Sequence, residues 1–289
     1  MNLLLRMSYS PVVRRISRTL HLSNALESAY YWWVTSPYGV YEFHTLGLSY
    51  KIRLEKRGEL RNRQWNYERS GERDFLAALK ANLSPGDTVL DVGASVGEFT
   101  LPLAKIVGEK GRVLAFEPGE STSGRLAENI KLNGLTNVQI FRKALGDQDS
   151  AATLFSGGFK CPSIVPPEGD SDYRTVSEHI EIVRADTFFA SEKLPVPKAI
   201  KIDVEGFEFA VLQGLRGILA NPSCRLVCLE IHPQLLPTGV AAEAITELLK
   251  GSGFDLQVVD RDPELHVVAL KTTGRGREVA AGNPGNVRP

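Results

Sequence analysis

The chain has no surplus of either charge, no long apolar run and few cysteines. Lysine plus arginine and aspartate plus glutamate number 34 each, so the net charge is zero. A protein whose main task is to coat nucleic acid needs a basic surplus against phosphate, and that class is disfavoured. No uncharged apolar stretch reaches 18 residues, so no membrane-spanning segment is expected. "MNLLLRMSYSPVV" is broken by Arg6 and lacks a cleavage site, so no signal peptide is expected either. The three cysteines, Cys161, Cys224 and Cys228, are too few for a disulfide framework. Their odd number suits a reducing, cytoplasmic compartment. No second pair or histidine cluster accompanies Cys224 and Cys228, and "RLVCLEI" reads as a buried strand, so both are expected to be structural thiols. Internal repeats are absent.

What is present begins with 43% apolar residues in a chain of 289, enough for one large core or two modest ones. Residues 1–69 form a basic and aromatic arm followed by a β-hairpin. Arg6, Arg14, Arg15 and Arg18 precede the first acid, Glu27, and "YYWW" (Tyr30–Trp33) follows. A helical arm packing its aromatics on the domain is one reading of residues 1–40. Peripheral contact with the inner face of a membrane, arginines toward anionic headgroups, is the other. "VYEFHTLGLSYKIRLE" alternates on both sides of Leu46-Gly47, which gives the hairpin.

Residues 70–271 read as a single domain. A helix "ERDFLAALKANL" leads into strand-like runs "TVLDVG", "RVLAFE", "NVQIFRKAL", "AIKIDV" and "RLVCLEIH", with helical patterns between and after them. That alternation predicts an α/β fold, a doubly wound, mostly parallel sheet with helices on both faces. "FDLQVVDRDPELHVVALK" predicts an antiparallel C-terminal strand pair closing it. Ser156–His179 is Gly-, Pro- and Ser-bearing with little periodicity and reads as a long loop, a lid or disordered. Residues 272–289, Gly-rich and apolar-poor, read as a disordered tail.

"VLDVGASVGEFT" runs a strand into a glycine turn and then a helix, the place where a doubly wound sheet binds ligands. Gly93 would let the backbone approach a ligand, Gly97 would let the helix pack closely, and Ala94 and Ser95 lie between them. Asp91 at the strand end would repel a diphosphate but welcome a cationic cofactor such as S-adenosylmethionine. Glu117, closing the next strand before Pro118, is placed to accept hydrogen bonds from both ribose hydroxyls. Asp147 in "ALGDQDS" is a candidate for the adenine amino group, or a turn residue.

"PGDTVLDVGASVGEFTLPLAK", "GRVLAFEP", "LAENIKLNGLTNVQIFRKALGD", "IKIDVEGFEFAVLQG" and "LEIHP", in this order, resemble the FkbM-type methyltransferase family over about residues 70–270. The resemblance implies the seven-stranded class I, Rossmann-like methyltransferase fold and S-adenosylmethionine as donor. It also implies O-methylation of a sugar, glycolipid or polyketide-like hydroxyl. Ser95 stands where members commonly carry Asn, a loss of the amide at that turn.

Asp203 and Glu205 share strand parity, as do Glu230 and His232, so four polar groups are expected to converge at the sheet's carboxyl edge. A sugar hydroxyl needs its proton removed as the new bond forms. His232 and Asp203 are the candidate bases; Glu205 and Glu230 would hold neighbouring hydroxyls or orient the base. Glu205 and Glu208 also suit the first turn of a helix on dipole grounds alone. The same groups have metal-ligand chemistry, but their spacing in the chain has no metal signature, and no metal is assigned.

"YKIRLEKRGELRNR" carries six basic residues against two acidic and can steer an anionic acceptor, or simply be a solvated face. The acceptor class is a small molecule, glycan or glycolipid, with no nucleic-acid partner. "DVEG" stands where nucleic-acid methyltransferases have an N/D-P-P-Y/F motif. Two rivals remain: a non-catalytic module that keeps the fold, and an NAD-dependent oxidoreductase, which the lack of G-x-G-x-x-G and the presence of Asp91 disfavour.

Overall fold

Apolar runs of four to six residues between turn signals become the strands of one central sheet. The computed structural model describes residues 39–54, 71–157, 160–164, 176–261 and 263–271. The basic arm, most of the basic stretch after the hairpin, the centre of the long loop and the C-terminal tail lie outside the described residues. In chain order the elements are β1 (Val40–Thr45), β2 (Leu48–Arg53), α1 (Glu72–Asn82), β3 (Thr88–Val92), α2 (Thr100–Val107), β4 (Arg112–Phe116), α3 (Glu120–Leu132) and β5 (Val138–Phe141). Then come β6 (Ala144–Gly146), β7 (Ser150–Gly157), β8 (Lys160–Ser163), β9 (Val176–Arg184), α4 (Ala185–Ser191) and β10 (Ala199–Ile202). The last are α5 (Glu208–Gly214), α6 (Arg216–Ala220), β11 (Leu226–Ile231), α7 (Ala242–Gly251), β12 (Asp255–Asp260) and β13 (Leu265–Leu270).

Seven strands form the main sheet in the order β12-β13-β11-β10-β3-β4-β5. The five from β11 to β5 are parallel, and β13 runs antiparallel to both its neighbours, as the C-terminal alternation predicted. The chain winds outward from β3 in one direction through β4 and β5, and then in the other through β10 and β11. The switch point therefore lies between β3 and β10, and ligands bind in the crevice beyond the carboxyl ends of such strands. Strand parity divides the core. Leu90, Ile200, Val227 and Leu229 pack with Val211, Leu212 and Leu249 of α5 and α7. Val89, Ala199, Leu226 and Cys228 face the other way, onto Phe75, Leu76 and Leu79 of α1 and Leu103 and Val107 of α2.

Two departures from the sequence pattern shape the site. "NVQIFRKAL" is two strands: β5 ends at Phe141, and β6 joins a separate four-stranded sheet ordered β6-β9-β7-β8. That second sheet uses both ends of the segment read as a loop. In β9, Ile180 and Ile182 point inward while His179 and Glu181 are exposed, a half-buried strand's alternation. The hairpin β1–β2 turns at Leu46-Gly47 and docks on α3: Arg53 N–H donates to Asn129 Oδ1 (2.8 Å) and Lys51 N–H to Asn133 Oδ1 (2.8 Å). Among the described residues no helix is long and apolar enough to cross a membrane.

Candidate active site

At the end of β3 the chain turns through Gly93 to Gly97 before entering α2. Gly93 has φ +78°, and a Cβ there would stand 1.8 Å from the Asp203 carbonyl oxygen. Its missing side chain thus lets the turns after β3 and β10 touch, a role within the protein where the sequence suggested close approach to a ligand. Gly97 makes room for Leu126 of α3, which a Cβ would meet at 2.8 Å. Ser95, between them, takes the left-handed conformation (φ +48°) that glycine and asparagine tolerate best.

These turns, with the end of β4, wall a cleft over the switch point. Phe116, Leu145, Leu154, Ile164 and Phe207 give it an apolar side; Glu117 and Ser95 stand at one part of its wall, Asp203 and Glu205 at another. Glu117 is fixed by three donors. Ser95 N–H donates to Oε2 (2.8 Å), while Gly119 N–H (3.0 Å) and the Thr122 hydroxyl (2.6 Å) donate to Oε1. A carboxylate offers about four lone-pair sites, so one acceptor position remains for a ligand hydroxyl rather than the two anticipated. Burial raises the Glu117 pKa, and its three donors oppose that.

The other predicted cofactor residues are divided by position. Gly93, Ser95, Glu117 and Pro118 line the cleft. Ala94 and Gly97 are buried beneath it. Asp91 shares the parity of Val89 and so points toward α2, away from the cleft. It is fully buried there, its Oδ2 accepting the Thr100 hydroxyl at 2.5 Å and its Oδ1 without a hydrogen bond among the described residues. Burial raises its pKa, opposed by Lys201 and Thr100. A charge behind the wall is not a direct contact for a cofactor's ammonium. Asp147 is exposed beyond β6 and does not line the cleft, because the chain has already left the main sheet at Phe141.

The second cluster forms where β10 and β11 end. β10 stops at Ile202, so Asp203 and Glu205 meet His232 through a turn and not by strand parity. Glu205 adopts φ +52°, and Gly206 follows at φ +98°. Helix α5 starts only at Glu208, so Glu205 precedes it and the first-turn reading applies to Glu208 alone. Glu208 does more than complement the dipole: fully buried, it accepts Gly206 N–H (2.8 Å) and the His232 Nδ1–H (2.8 Å) on Oε1. This leaves His232 Nε2 facing Asp203 Oδ1 at 3.9 Å, Glu205 Oε2 at 3.7 Å and Glu230 Oε1 at 3.7 Å. Asp203 and Glu205 line the cleft; His232 and Glu230 stand behind them.

Three further residues belong to this cluster and were not read from the sequence. Lys201, 4 % exposed inside a strand, bonds Asp203 Oδ2 at 3.2 Å. His266 on β13 is paired in register with Glu230. Glu72, at the start of α1, interacts electrostatically with Glu230 and Asp203. A lysine inside "AIKIDV" is anomalous for a buried strand and was the available signal. Burial works against the Lys201 charge, but Asp203, Asp91 and Glu230 outweigh it and its pKa rises. Burial raises the Asp203 pKa, but Lys201 and His232 more than reverse this and keep it ionised. Burial, with the neighbouring Asp203, pushes Glu230 up to about 9. For His232, burial lowers the pKa, but the Glu208 hydrogen bond and the charges of Asp203 and Glu205 raise it to about 10.

A doubly wound seven-stranded sheet closed by an antiparallel strand, with an acid-rimmed cleft at its switch point, is the architecture of the class I, Rossmann-like methyltransferases. The profile of the Methyltransferase FkbM domain matches residues 91–256, and the chain belongs to that family. It is similar to the hexuronic acid methyltransferase AglP of Haloferax volcanii, 29% identical over 197 residues that cover 67% of this chain and 75% of AglP. A shorter segment of 92 residues is 35% identical to the 23S rRNA (uracil(1939)-C(5))-methyltransferase RlmD of Psychrobacter arcticus, covering 32% of this chain and 18% of that protein. Among solved structures, the methyltransferase FkbM from Methylobacillus flagellatus is 17% identical with a TM-score of 0.46, covering 86% of this chain and 52% of that one.

Proposed function

We propose that the chain is an S-adenosylmethionine-dependent O-methyltransferase whose acceptor is a sugar hydroxyl on a uronic-acid-containing glycan or glycolipid. The observation that carries this reading is the division of one cleft: an apolar wall beside a pinned Glu117, and the carboxylates of Asp203 and Glu205 elsewhere on the same wall. That donor set fits an adenosine with a positively charged extension. Phe116, Leu145 and Phe207 offer surface for a flat base, and Glu117 keeps one acceptor site for a ribose hydroxyl. Once bound, S-adenosylmethionine supplies a methyl group on a cationic sulfur. Asp203 and Glu205 compensate positive charge in the cleft, as the diphosphate of a dinucleotide would not require.

The protein's own part is alignment and proton handling. Methyl transfer to oxygen is an in-line displacement, for which orientation supplies much of the acceleration. Asp203 lines the cleft, with Oδ2 tied to Lys201 and Oδ1 unbonded by Lys201, so it receives the hydroxyl proton. Glu205 holds a neighbouring hydroxyl. His232, positioned by Glu208, keeps both carboxylates in place from behind, and Glu230 supports it. AglP's name supports a hexuronic acid as acceptor class.

Calorimetry separates this reading from its rivals. S-adenosylmethionine and S-adenosylhomocysteine are expected to bind with one site per chain, and NAD not to bind. Binding of NAD in place of both would overturn the assignment.

A further inference from the structure

The acidic cluster holds two histidine rings whose surroundings hydrogen bonding does not explain. Around His232 Nε2 three carboxylate oxygens stand at 3.7, 3.7 and 3.9 Å. Hydrogen bonds would close to about 2.7–3.2 Å. Nitrogen and oxygen ligands held at about 2.0–2.2 Å from one ion stand roughly 3–4 Å from each other. The ring is already oriented for such a role, because Glu208 takes Nδ1–H and leaves Nε2 toward the carboxylates. Asp203, Glu205 and His232 each offer a ligand atom within 4.8 Å of the others.

His266 supplies an independent observation. It is 4 % exposed, and among the described residues neither ring nitrogen has a hydrogen-bond partner. Nδ1 lies against Gly71, where a Cβ would stand 2.6 Å away, and Nε2 faces Glu230 Oε1 at 3.7 Å. Glu230 Oε1 thus stands 3.7 Å from a ring nitrogen of both His232 and His266, beyond hydrogen-bond length in each case. Glu230, Glu264 and His266 form a second triad whose ligand atoms also lie within 4.8 Å of one another. A buried imidazole without a hydrogen bond among the described residues, beside a carboxylate that also faces a second imidazole, is an arrangement that a shared cation would satisfy.

We propose that Asp203, Glu205 and His232, joined through Glu230 to Glu264 and His266, form a divalent-cation centre at the carboxyl edge of the sheet. The mixture of imidazole nitrogen and carboxylate oxygen suits Mn²⁺ or Zn²⁺. The chain spacing of these residues has no metal signature because they come from two strand ends, a turn and a neighbouring antiparallel strand that only the fold brings together. Asp203 and Glu205 also wall the cleft, so an ion there sits beside the carboxylates that an anionic acceptor would meet. This second consequence rests on the proposed function; cation binding itself does not.

The test uses the full chain stripped with a chelator and titrated with MnCl₂, free Mn²⁺ being followed by electron paramagnetic resonance. Saturable binding is expected, weakened at least tenfold by His232→Gln and by His266→Gln, with Glu247→Gln on the exposed face of α7 binding as the unaltered chain does. Pulsed spectroscopy of Mn²⁺ on the unaltered chain reads the ligands without any variant, and imidazole nitrogen coupling is expected. Absence of saturable binding, or binding without nitrogen coupling, would overturn the proposal. Mn²⁺ binding with nitrogen coupling but no methyl transfer to any saccharide would instead sink the functional reading and leave the centre standing.

Discussion

Glu117 and Glu205 line the same cleft under different constraints, and each makes a separate prediction. Glu117 is held by Ser95, Gly119 and Thr122. Its replacement by Gln turns an acceptor toward a donor and loses a charge-assisted bond worth about 1.5–3 kcal/mol. S-adenosylmethionine affinity in Glu117→Gln should fall about tenfold to a hundredfold by calorimetry; an unchanged affinity would remove Glu117 from the site. Glu205 is strained at φ +52° while lining the cleft. Left-handed backbone costs a non-glycine residue roughly 1–2 kcal/mol. Glu205→Gly should therefore raise the denaturation midpoint while lowering methyl transfer, and a variant less stable than the parent would show that the turn is not strained. Most site residues were legible in the sequence by type and neighbourhood. Asp91 was misplaced because its parity, set by Val89 packing on α1 and α2, sends it behind the wall. His266 went unread because a lone histidine on an alternating strand looks like any half-buried residue until register sets it beside Glu230.

At the scale of elements, strand-turn-helix patterning gave the parallel sheet, its closing antiparallel pair and the hairpin. It did not give the second sheet. β6 and β8 are three and four residues long, too short for a period to register, and β7 is rich in small residues. β9 does alternate, but its flanking Gly and Pro residues masked it. The hairpin's attachment was equally invisible, since it depends on two asparagine side chains, Asn129 of α3 and Asn133 that caps it. Asn129 is fully buried, with Oδ1 accepting Arg53 N–H at 2.8 Å and Nδ2 donating to the Val96 carbonyl at 2.9 Å. It ties the hairpin to the turn that carries Ser95. Asn129→Ala strands both backbone groups, each loss costing about 1–3 kcal/mol. A lower denaturant midpoint with an unchanged slope is expected; a midpoint equal to the parent's would mean the Asn129 bonds add nothing to the docking of the hairpin.

At the scale of the whole molecule, the described residues keep their reactive groups in two places, an acidic edge that meets the cleft and a core that does not. Cys224 and Cys228 belong to the core. Burial pushes the Cys224 thiol from 9.0 up to about 12, slightly opposed by Lys271, and raises Cys228 as well. Because the folded state holds these protons more tightly than the unfolded chain, their contribution to stability is complete below about pH 9 and is lost as pH rises from there toward 12. Mass-spectrometric mapping after iodoacetamide at pH 8 should leave both thiols unmodified in the native chain and modify both in denaturant. Native labelling of either would contradict its burial in the core.

The central claim is that one cleft holds a cationic methyl donor while Asp203 takes the proton of a sugar hydroxyl. Transfer of labelled methyl from S-adenosylmethionine to a glucuronic-acid-containing oligosaccharide, compared between the unaltered chain and Asp203→Asn, tests it most directly. The account predicts label on a saccharide oxygen, with the rate reduced about a hundredfold or more in the variant and donor affinity changed far less. Equal rates in the two proteins, or label found only on RNA, would contradict it.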